Sequence, residues 1–491
     1  MNTSRNMKSL LVAFILLFAL LASYLVYVVD LYGDYWFASP YNTRVTTQKS
    51  RVVAGDVRDR NGTLLASSDA DGARVYPNDK TLCLAVAHIL GDNGGQTLGA
   101  QARFARYLLG FDAQLDARLE ELLSGEKRRG SDVYLSIDAK LCEYAYEQLD
   151  GGRGAIVVMN YKTGEILAST AAPSFDLSKM DRFASGEYTP EEGSLVNRVT
   201  MGRYTPGSTF KLVTAIAALR YLPNATERTF RCTGCLAFDE KTGKLVGDAS
   251  KALDEDGGAR DGYALLRDFD GEVHGEVTLE EAFAVSCNNA FAQIALELGA
   301  GKIKAVAEEL GLGGEFVFNE IIAYSGSYDG GDTDFELAWS GVGQHTDIMT
   351  PMHMCLITCA VANGGVAMEP KLLYETASPG EGARGALASE AYKTLLKGNE
   401  ADFLKKCMRL TVEDGTGKKA QIEGYTVCGK TGTAEVSARA DVTPHAWFTG
   451  FIDDAEHPYA ICVVIENGGG GGAVAAPVAA SVLEKAIELL D

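Results

Sequence analysis

From Leu10 to Val29 no charged residue interrupts the run LLVAFILLFALLASYLVYVV. A helix of about 20 apolar residues matches the hydrocarbon thickness of a bilayer, so this stretch commits the chain to one membrane span. Arg5 and Lys8 precede the run while Asp30 and Asp34 follow it. That charge order puts the short N-terminus in the cytoplasm and everything after Val29 outside. The run exceeds the ~7 to 15 residues of a signal-peptide core and holds no A-x-A cleavage site. A single-pass, uncleaved anchor in the cell membrane is therefore expected, with an extracytoplasmic body.

That body is too long for one ordinary domain, because the chain has 491 residues, 46% of them hydrophobic, and two or three domains are expected. Lys and Arg total 45 against 66 Asp and Glu, a formal net charge of -21. With no basic run outside the N-terminal tip, nucleic acid is not a partner. Ten cysteines over this length are too sparse for a small disulfide scaffold. Cys232 and Cys235 in RCTGC form the only C-x-x-C, and a structural zinc site would need a second such pair or nearby histidines. A local disulfide or two free thiols is the expectation there, and no metal or other cofactor. The six histidines form no ligand spacing. His353 reads as a core or rim residue, His445 as a strand start, and Cys355 with Cys359 as core.

Along the chain, RVVAGDVRDRNGTLLASS (51–68) has two strand-like runs about Asn61-Gly62, which suits a hairpin with a type I′ turn. Apolar residues recur at helical spacing between Pro77 and Glu121, and SGEKRRGSD (124–132) then breaks the pattern, marking a domain boundary. The expected division is an anchor over 1–29, a mixed α+β pedestal over 30–150 and a larger domain over 151–491. In the last, GAIVVMNYKTGEILAST (154–170) predicts a hairpin. Helices are predicted over Phe210–Leu222, Leu279–Leu298 and Pro351–Asn363. GYTVCGKTGTAEV, HAWFTGFID and YAICVVIEN predict consecutive strands. The fold class is α/β of the α+β kind, an antiparallel sheet packed with helices. Asp248 to Glu276, rich in Gly and Asp, reads as an exposed excursion. Gly468 to Gly472 lacks the G-K-[ST] of a phosphate loop and reads as a connector near a cleft.

The chemistry starts in YTPGSTFKLVTAIAAL (204–219). Pro206-Gly207 makes a turn, and Ser208 and Lys211 open an apolar helix, one turn apart on one face. A serine hydroxyl becomes a nucleophile when a base takes its proton, and a lysine whose pKa is lowered by burial is such a base. S-x-x-K alone is poor evidence, since about one or two chance matches are expected in a chain this long. Ser124 and Lys127 match as well, but in a charged connector that would leave the lysine solvated. AVSCNNAF (284–291) adds Ser286 and Asn288, a hydroxyl and an amide able to face one cleft. K-T-G occurs at Lys162, Lys241 and Lys430. Turns explain the first two, while the third continues an apolar strand. There Lys430 supplies positive potential, Thr431 and Thr433 can bind a carboxylate, and a backbone N–H can stabilise an oxyanion.

In that order STFK, SCN and KTGT resemble the three active-site motifs of penicillin-binding proteins and serine β-lactamases. TPGSTFK, GVGQHTDIMTPM, GKTGTAE and AWFTGF resemble the wider transpeptidase domain over most of 151–491. AGDVRDRNGTLLA (54–66) is similar to the RG-x-I-x-DRNG-x-x-LA segment of class B, monofunctional members, with Ala54 where arginine is usual. His345 after Gln344 stands where the family often has glycine.

The resemblance implies peptidoglycan D,D-transpeptidation through an acyl-serine that β-lactams trap. By the same implication Ser208 is the nucleophile, Lys211 its base, Ser286 a proton relay, and Asn288 a holder of the substrate amide or the lysine. Lys430, Thr431, Gly432 and Thr433 line the carboxylate side, and the N–H groups of Ser208 and Thr433 form the oxyanion hole. Implied partners are peptidoglycan stem peptides, β-lactam antibiotics and a polytopic glycan polymerase of the shape, elongation, division and sporulation class. Two other readings use the same residues. A serine β-lactamase of class A would need an E-x-x-L-N-like segment, which residues 289–430 lack. A non-catalytic sensor or scaffold of the usual kind carries several spans and a cytosolic effector region, and neither appears here.

Overall fold

The structure, a computed structural model, describes residues 3–37, 42–111, 127–379, 383–384, 388–436 and 442–490. The first helix, Thr3–Phe37, contains the apolar run, and Met7–Val29 is long and apolar enough to cross a membrane. No part of that window is buried against protein, so its apolar surface is left for lipid.

After the anchor, Val57–Arg58 and Leu64–Ser68 pair as the expected hairpin. Its tip is not the expected type I′ turn, which needs positive φ at both central residues. Gly62 has φ +85° but Asn61 does not have positive φ. Asp59 organises the turn instead. Its Oδ1 accepts the N–H groups of Asn61 at 3.0 Å and Thr63 at 2.7 Å, and its Oδ2 accepts that of Ala139 at 3.0 Å. One buried carboxylate thus closes the DRNG turn and ties it to the helix Ala139–Glu147.

The helical spacing after Pro77 resolves as Lys80–Leu90 and the short helices Ala100–Arg103 and Ala105–Leu108. The rest of that stretch and Ser124 of SGEK lie outside the described residues. The sheet that contains this hairpin draws on distant chain: Leu373–Ala377 pairs antiparallel with Asp132–Leu135. Residues before and after position 151 therefore share one sheet.

Five antiparallel strands form the central sheet of the larger part: β1 (Gly154–Asn160), β2 (Ile166–Ala172), β3 (Val427–Ala434), β4 (His445–Ile452) and β5 (Tyr459–Ile465), in the order β3-β4-β5-β1-β2. Consecutive residues are buried throughout β2 and in all but the last position of β1 and β5, so both faces of the sheet are covered. Four helices matter for the site: α1 (Lys211–Tyr221), α2 (Asn288–Leu298), α3 (Pro351–Ala362) and α4 (Ala475–Leu490). Both α3 and α4 pack on the sheet. Cys355, Cys359 and His353 are buried in α3, as expected of core residues.

One expectation fails in the segment before α2. The helix predicted over Leu279–Leu298 is broken: one helix covers Leu279–Ala284, and α2 starts at Asn288. Between them Ser286 has φ +58°, a conformation an α-helix cannot contain. Asp248–Glu276 is largely exposed, as expected, and holds the strand Tyr263–Arg267 and the start of Gly275–Thr278. Tyr263–Arg267 pairs with Cys235–Asp239, and Gly275–Thr278 pairs with Thr229–Cys232. The intervening residues fold under the broken helix, burying Asp268.

Candidate active site

Gly207 decides where Ser208 sits. It has φ +55°, and a Cβ there would lie 2.5 Å from the Thr433 carbonyl oxygen. Only glycine lets the Pro206-Gly207 turn lie flush on β3. Gly432 permits the same approach from the other side, since its Cβ would meet Thr209 at 2.9 Å and the Pro206 carbonyl at 3.0 Å. Ser208 follows on a single 3₁₀ turn leading into α1. It is half-buried, at a cleft of about 620 Å³ that Ser286, Asn288, Thr431 and Thr433 also line.

Lys211 lies one turn on and is wholly buried. Its amine reaches not the Ser208 hydroxyl, as the spacing suggested, but the S-C-N segment. Nζ donates to the Ser286 carbonyl at 2.5 Å, the Ser286 hydroxyl at 3.2 Å and Asn288 Oδ1 at 2.7 Å. The positive φ of Ser286 turns both its oxygens toward one point. These three acceptors satisfy the amine.

From the opposite wall Lys430, also fully buried, donates to the same Ser286 hydroxyl at 2.9 Å. Each ammonium sits over an aromatic ring, Lys211 over Phe291 and Lys430 over Phe283, 5.5 Å from each centroid. β3 is the edge of the sheet, so one row of its backbone groups faces the cleft. Beside Lys430, Thr431 Oγ1 lies 2.6 Å from Thr416 Oγ1, and Thr433 Oγ1 accepts the Gly471 N–H at 3.2 Å. The glycine run is thus seated against β3 and joins β5 to α4.

Burial sets the protonation of the pair. Desolvation pulls Lys211 down to about 8, with Cys287 and Asp268 pulling the other way. Lys430 lies well below the ordinary lysine value, through desolvation first and the nearby Lys211 second. The site therefore holds an amine able to be neutral near physiological pH beside a half-exposed serine. At its floor Gln344 Nε2 donates to the Thr433 carbonyl at 3.2 Å, and His345 adopts φ +63°. Histidine there bears a conformation that glycine would adopt freely.

All eight residues expected at the site converge on this cleft. Four others emerged only in the fold. Asp268 Oδ1 accepts the Asn288 N–H, and its Oδ2 lies 3.0 Å from Cys232 Sγ and 3.3 Å from Cys287 Sγ. His274 completes a group whose donor atoms all lie within 4.8 Å of one another. By their chemistry these four could hold a metal ion. All ten cysteines are free thiols, and Cys232 finds its neighbours across space instead of in a second C-x-x-C. Cys232 and Cys287 are 55 positions apart, beyond any ligand spacing. A second cavity, about 450 Å³, is lined by Arg103, Phe316 and Tyr324 and contains none of the expected residues.

The family model of the penicillin binding protein transpeptidase domain matches residues 154–232 and 236–484. The peptidoglycan D,D-transpeptidase PbpA of Mycolicibacterium smegmatis is 30% identical over 99% of both chains. The peptidoglycan D,D-transpeptidase MrdA of Acinetobacter baumannii is 28% identical over 71% of this chain and 53% of its own. Among solved structures, the imipenem acyl-enzyme complex of penicillin-binding protein A from M. tuberculosis aligns with a TM-score of 0.73. It is 26% identical over 90% of this chain and all of that one.

Proposed function

The chain belongs to the penicillin-binding protein transpeptidases, as a class B member, and from that membership we propose how its own residues carry the reaction. It is a serine-type peptidoglycan D,D-transpeptidase that β-lactams acylate. The observation that carries the residue assignment is the convergence of two buried lysines on Ser286, beside Ser208 at the cleft.

Ser208 Oγ attacks the carbonyl carbon of the penultimate D-alanine in a stem peptide, while neutral Lys211 takes the hydroxyl proton. The N–H groups of Ser208 and Thr433 hold the oxyanion. Collapse of the tetrahedral adduct breaks the amide bond. The proton passes from Lys211 through the Ser286 hydroxyl to the departing D-alanine nitrogen, along contacts of 3.2 Å and 2.9 Å shared with Lys430. The amine of a neighbouring stem then attacks the ester and gives its proton back along the same path, freeing Ser208. Lys430, Thr431 and Thr433 with the small Gly432 bind the terminal carboxylate, and Asn288 fixes Lys211 through its 2.7 Å contact.

The division at 29/30 and 150/151, the cytoplasmic N-terminus and an association of anchor and pedestal with a polytopic glycan polymerase belong to the same proposal. The apolar Met7–Val29 helix and the charges around it support the first of these orientations. Incubating the full-length protein in detergent with a stem pentapeptide and an excess of a free D-amino acid tests the function. Exchange of the terminal residue indicates transpeptidation, whereas release of D-alanine alone, with rapid turnover of penicillin, would indicate a hydrolase.

A further inference from the structure

Glu466 is the first residue after β5 and opens the connector to α4 that contains the glycine run. Three side chains converge on its carboxylate. Its Oε1 accepts Arg198 Nε and the Tyr204 hydroxyl, both at 2.8 Å, and its Oε2 accepts Arg153 Nε at 3.3 Å. The Arg198 side chain is 6% exposed and that of Glu466 18%, and Tyr204 is buried. Burial alone would raise the Glu466 carboxyl, but the bonds from Arg198 and Tyr204 hold it below its ordinary value. The group is therefore an anion at neutral pH.

Tyr204 lies four residues before Ser208. Its backbone exchanges two hydrogen bonds with Met349, at 3.0 Å and 2.8 Å, and its ring meets those of His445 and Trp447 edge-on. The Trp447 indole donates to the Thr205 carbonyl at 3.1 Å. The chain leading into the nucleophile turn is thus held by β4 and, through the Tyr204 hydroxyl, by Glu466.

From Glu466 the connector runs past the start of β4 and onto β3. The Asn467 N–H donates to His445 Nδ1 at 2.9 Å and the Gly469 N–H to the Pro444 carbonyl at 3.0 Å. Gly471 then lies so close that a Cβ there would sit 2.3 Å from the carbonyl oxygens of both Gly432 and Trp447. Only glycine permits that approach. There the Gly471 N–H donates to Thr433 Oγ1 at 3.2 Å. A threonine hydroxyl has one proton and two lone pairs. Gly471 takes a lone pair, and among the described residues the hydroxyl makes no other hydrogen bond. Its proton is left for a ligand in the cleft that Thr433 lines. Toward a carboxylate a hydroxyl must donate, so the glycine connector selects the useful orientation.

We propose that Glu466 is a positioning residue for carboxylate recognition: it locks the connector to the nucleophile turn, so that the Gly471 N–H sets the Thr433 hydroxyl as a donor toward the substrate carboxylate. Glu466 itself does not line the cleft. It acts through Tyr204 on one side and through Gly471 and Thr433 on the other. The inference rests on the reading above in which Thr433 binds the carboxylate.

The test acylates the full-length protein in detergent with benzylpenicillin and with its methyl ester, which lacks the carboxylate, each in competition with fluorescent penicillin. The wild type should react at least about tenfold faster with the acid, as hydrogen bonds to a charged group are worth. Tyr204→Phe, which removes one hydroxyl, and Glu466→Leu should each cut that preference at least about threefold, by slowing the acid more than the ester. Glu466→Gln keeps an acceptor oxygen for Tyr204 and should retain more of the preference than Glu466→Leu. In a Thr433→Val background, Tyr204→Phe should change the preference no further. Near-ultraviolet circular dichroism checks folding, and if Glu466→Leu does not fold, Tyr204→Phe decides. Equal slowing of acid and ester in Tyr204→Phe, or a preference that stays at the wild-type value, would overturn the positioning role. A wild-type preference near one would overturn the carboxylate reading of Thr433 and this proposal with it, while labelling that depends on Ser208 would stand.

Discussion

Lys211 and Lys430 donate to one hydroxyl, that of Ser286, at 3.2 Å and 2.9 Å from opposite walls of the cleft. Two ammonium groups cannot comfortably share one buried oxygen, so the pair favours losing a proton. The macroscopic titration belongs to both.

The first consequence is a pH profile. With Lys211 lowered to about 8, penicillin acylation should rise with pH through an apparent pKa near 8 and level off above it. A rate constant that is flat from pH 6.5 to 9 would contradict this. Stability follows the same sign. The folded pKa lies below the unfolded one, so below about 8 both states hold the proton and the burial cost is present in full. Between about 8 and 10.5 the unfolded state binds more protons, so this group's contribution to stability should grow as pH rises.

Asn288→Asp places a carboxylate where Asn288 Oδ1 now lies, 2.7 Å from Lys211 Nζ. An adjacent opposite charge favours the ammonium, by about 1–3 pKa units. The acylation profile should move to higher pH and the rate at pH 7 should fall. A variant with an unshifted profile would separate Asn288 from Lys211.

Lys211→Arg keeps the positive charge but cannot yield a neutral base near neutrality. Acylation should drop by about 10²–10⁴-fold, the usual worth of a positioned base, while the thermal midpoint changes far less. Retained labelling would move the base elsewhere.

Gly207→Ala forces a Cβ to within 2.5 Å of the Thr433 carbonyl at a positive φ. The cost should be about 1–3 kcal/mol in denaturant unfolding, together with slow labelling as the turn lifts from β3. His345→Gly does the reverse at φ +63° and should stabilise by up to about 1 kcal/mol.

How legible all this was depends on range. The three motifs were readable because each sits beside its own context: a turn before Ser208, a strand under Lys430. The strands over 427–465 were readable from dense apolar runs. The break at Ser286 was not, because both flanking helices bury apolar faces at one period and no glycine marks the positive φ. Asp268 and His274 hid in a Gly- and Asp-rich segment whose strands are short and pair locally. Nothing in one dimension ties them to Cys232 and Cys287. The DRNG hairpin shows the same limit at short range, since its turn type is set by where Asp59 points.

The most direct measurement is covalent labelling of the full-length protein with fluorescent penicillin beside Ser208→Ala, followed over hours and mapped by mass spectrometry. A stable adduct on the peptide containing Ser208, absent from the variant, is the predicted result. No adduct on folded wild type, or one that persists in Ser208→Ala, would contradict it.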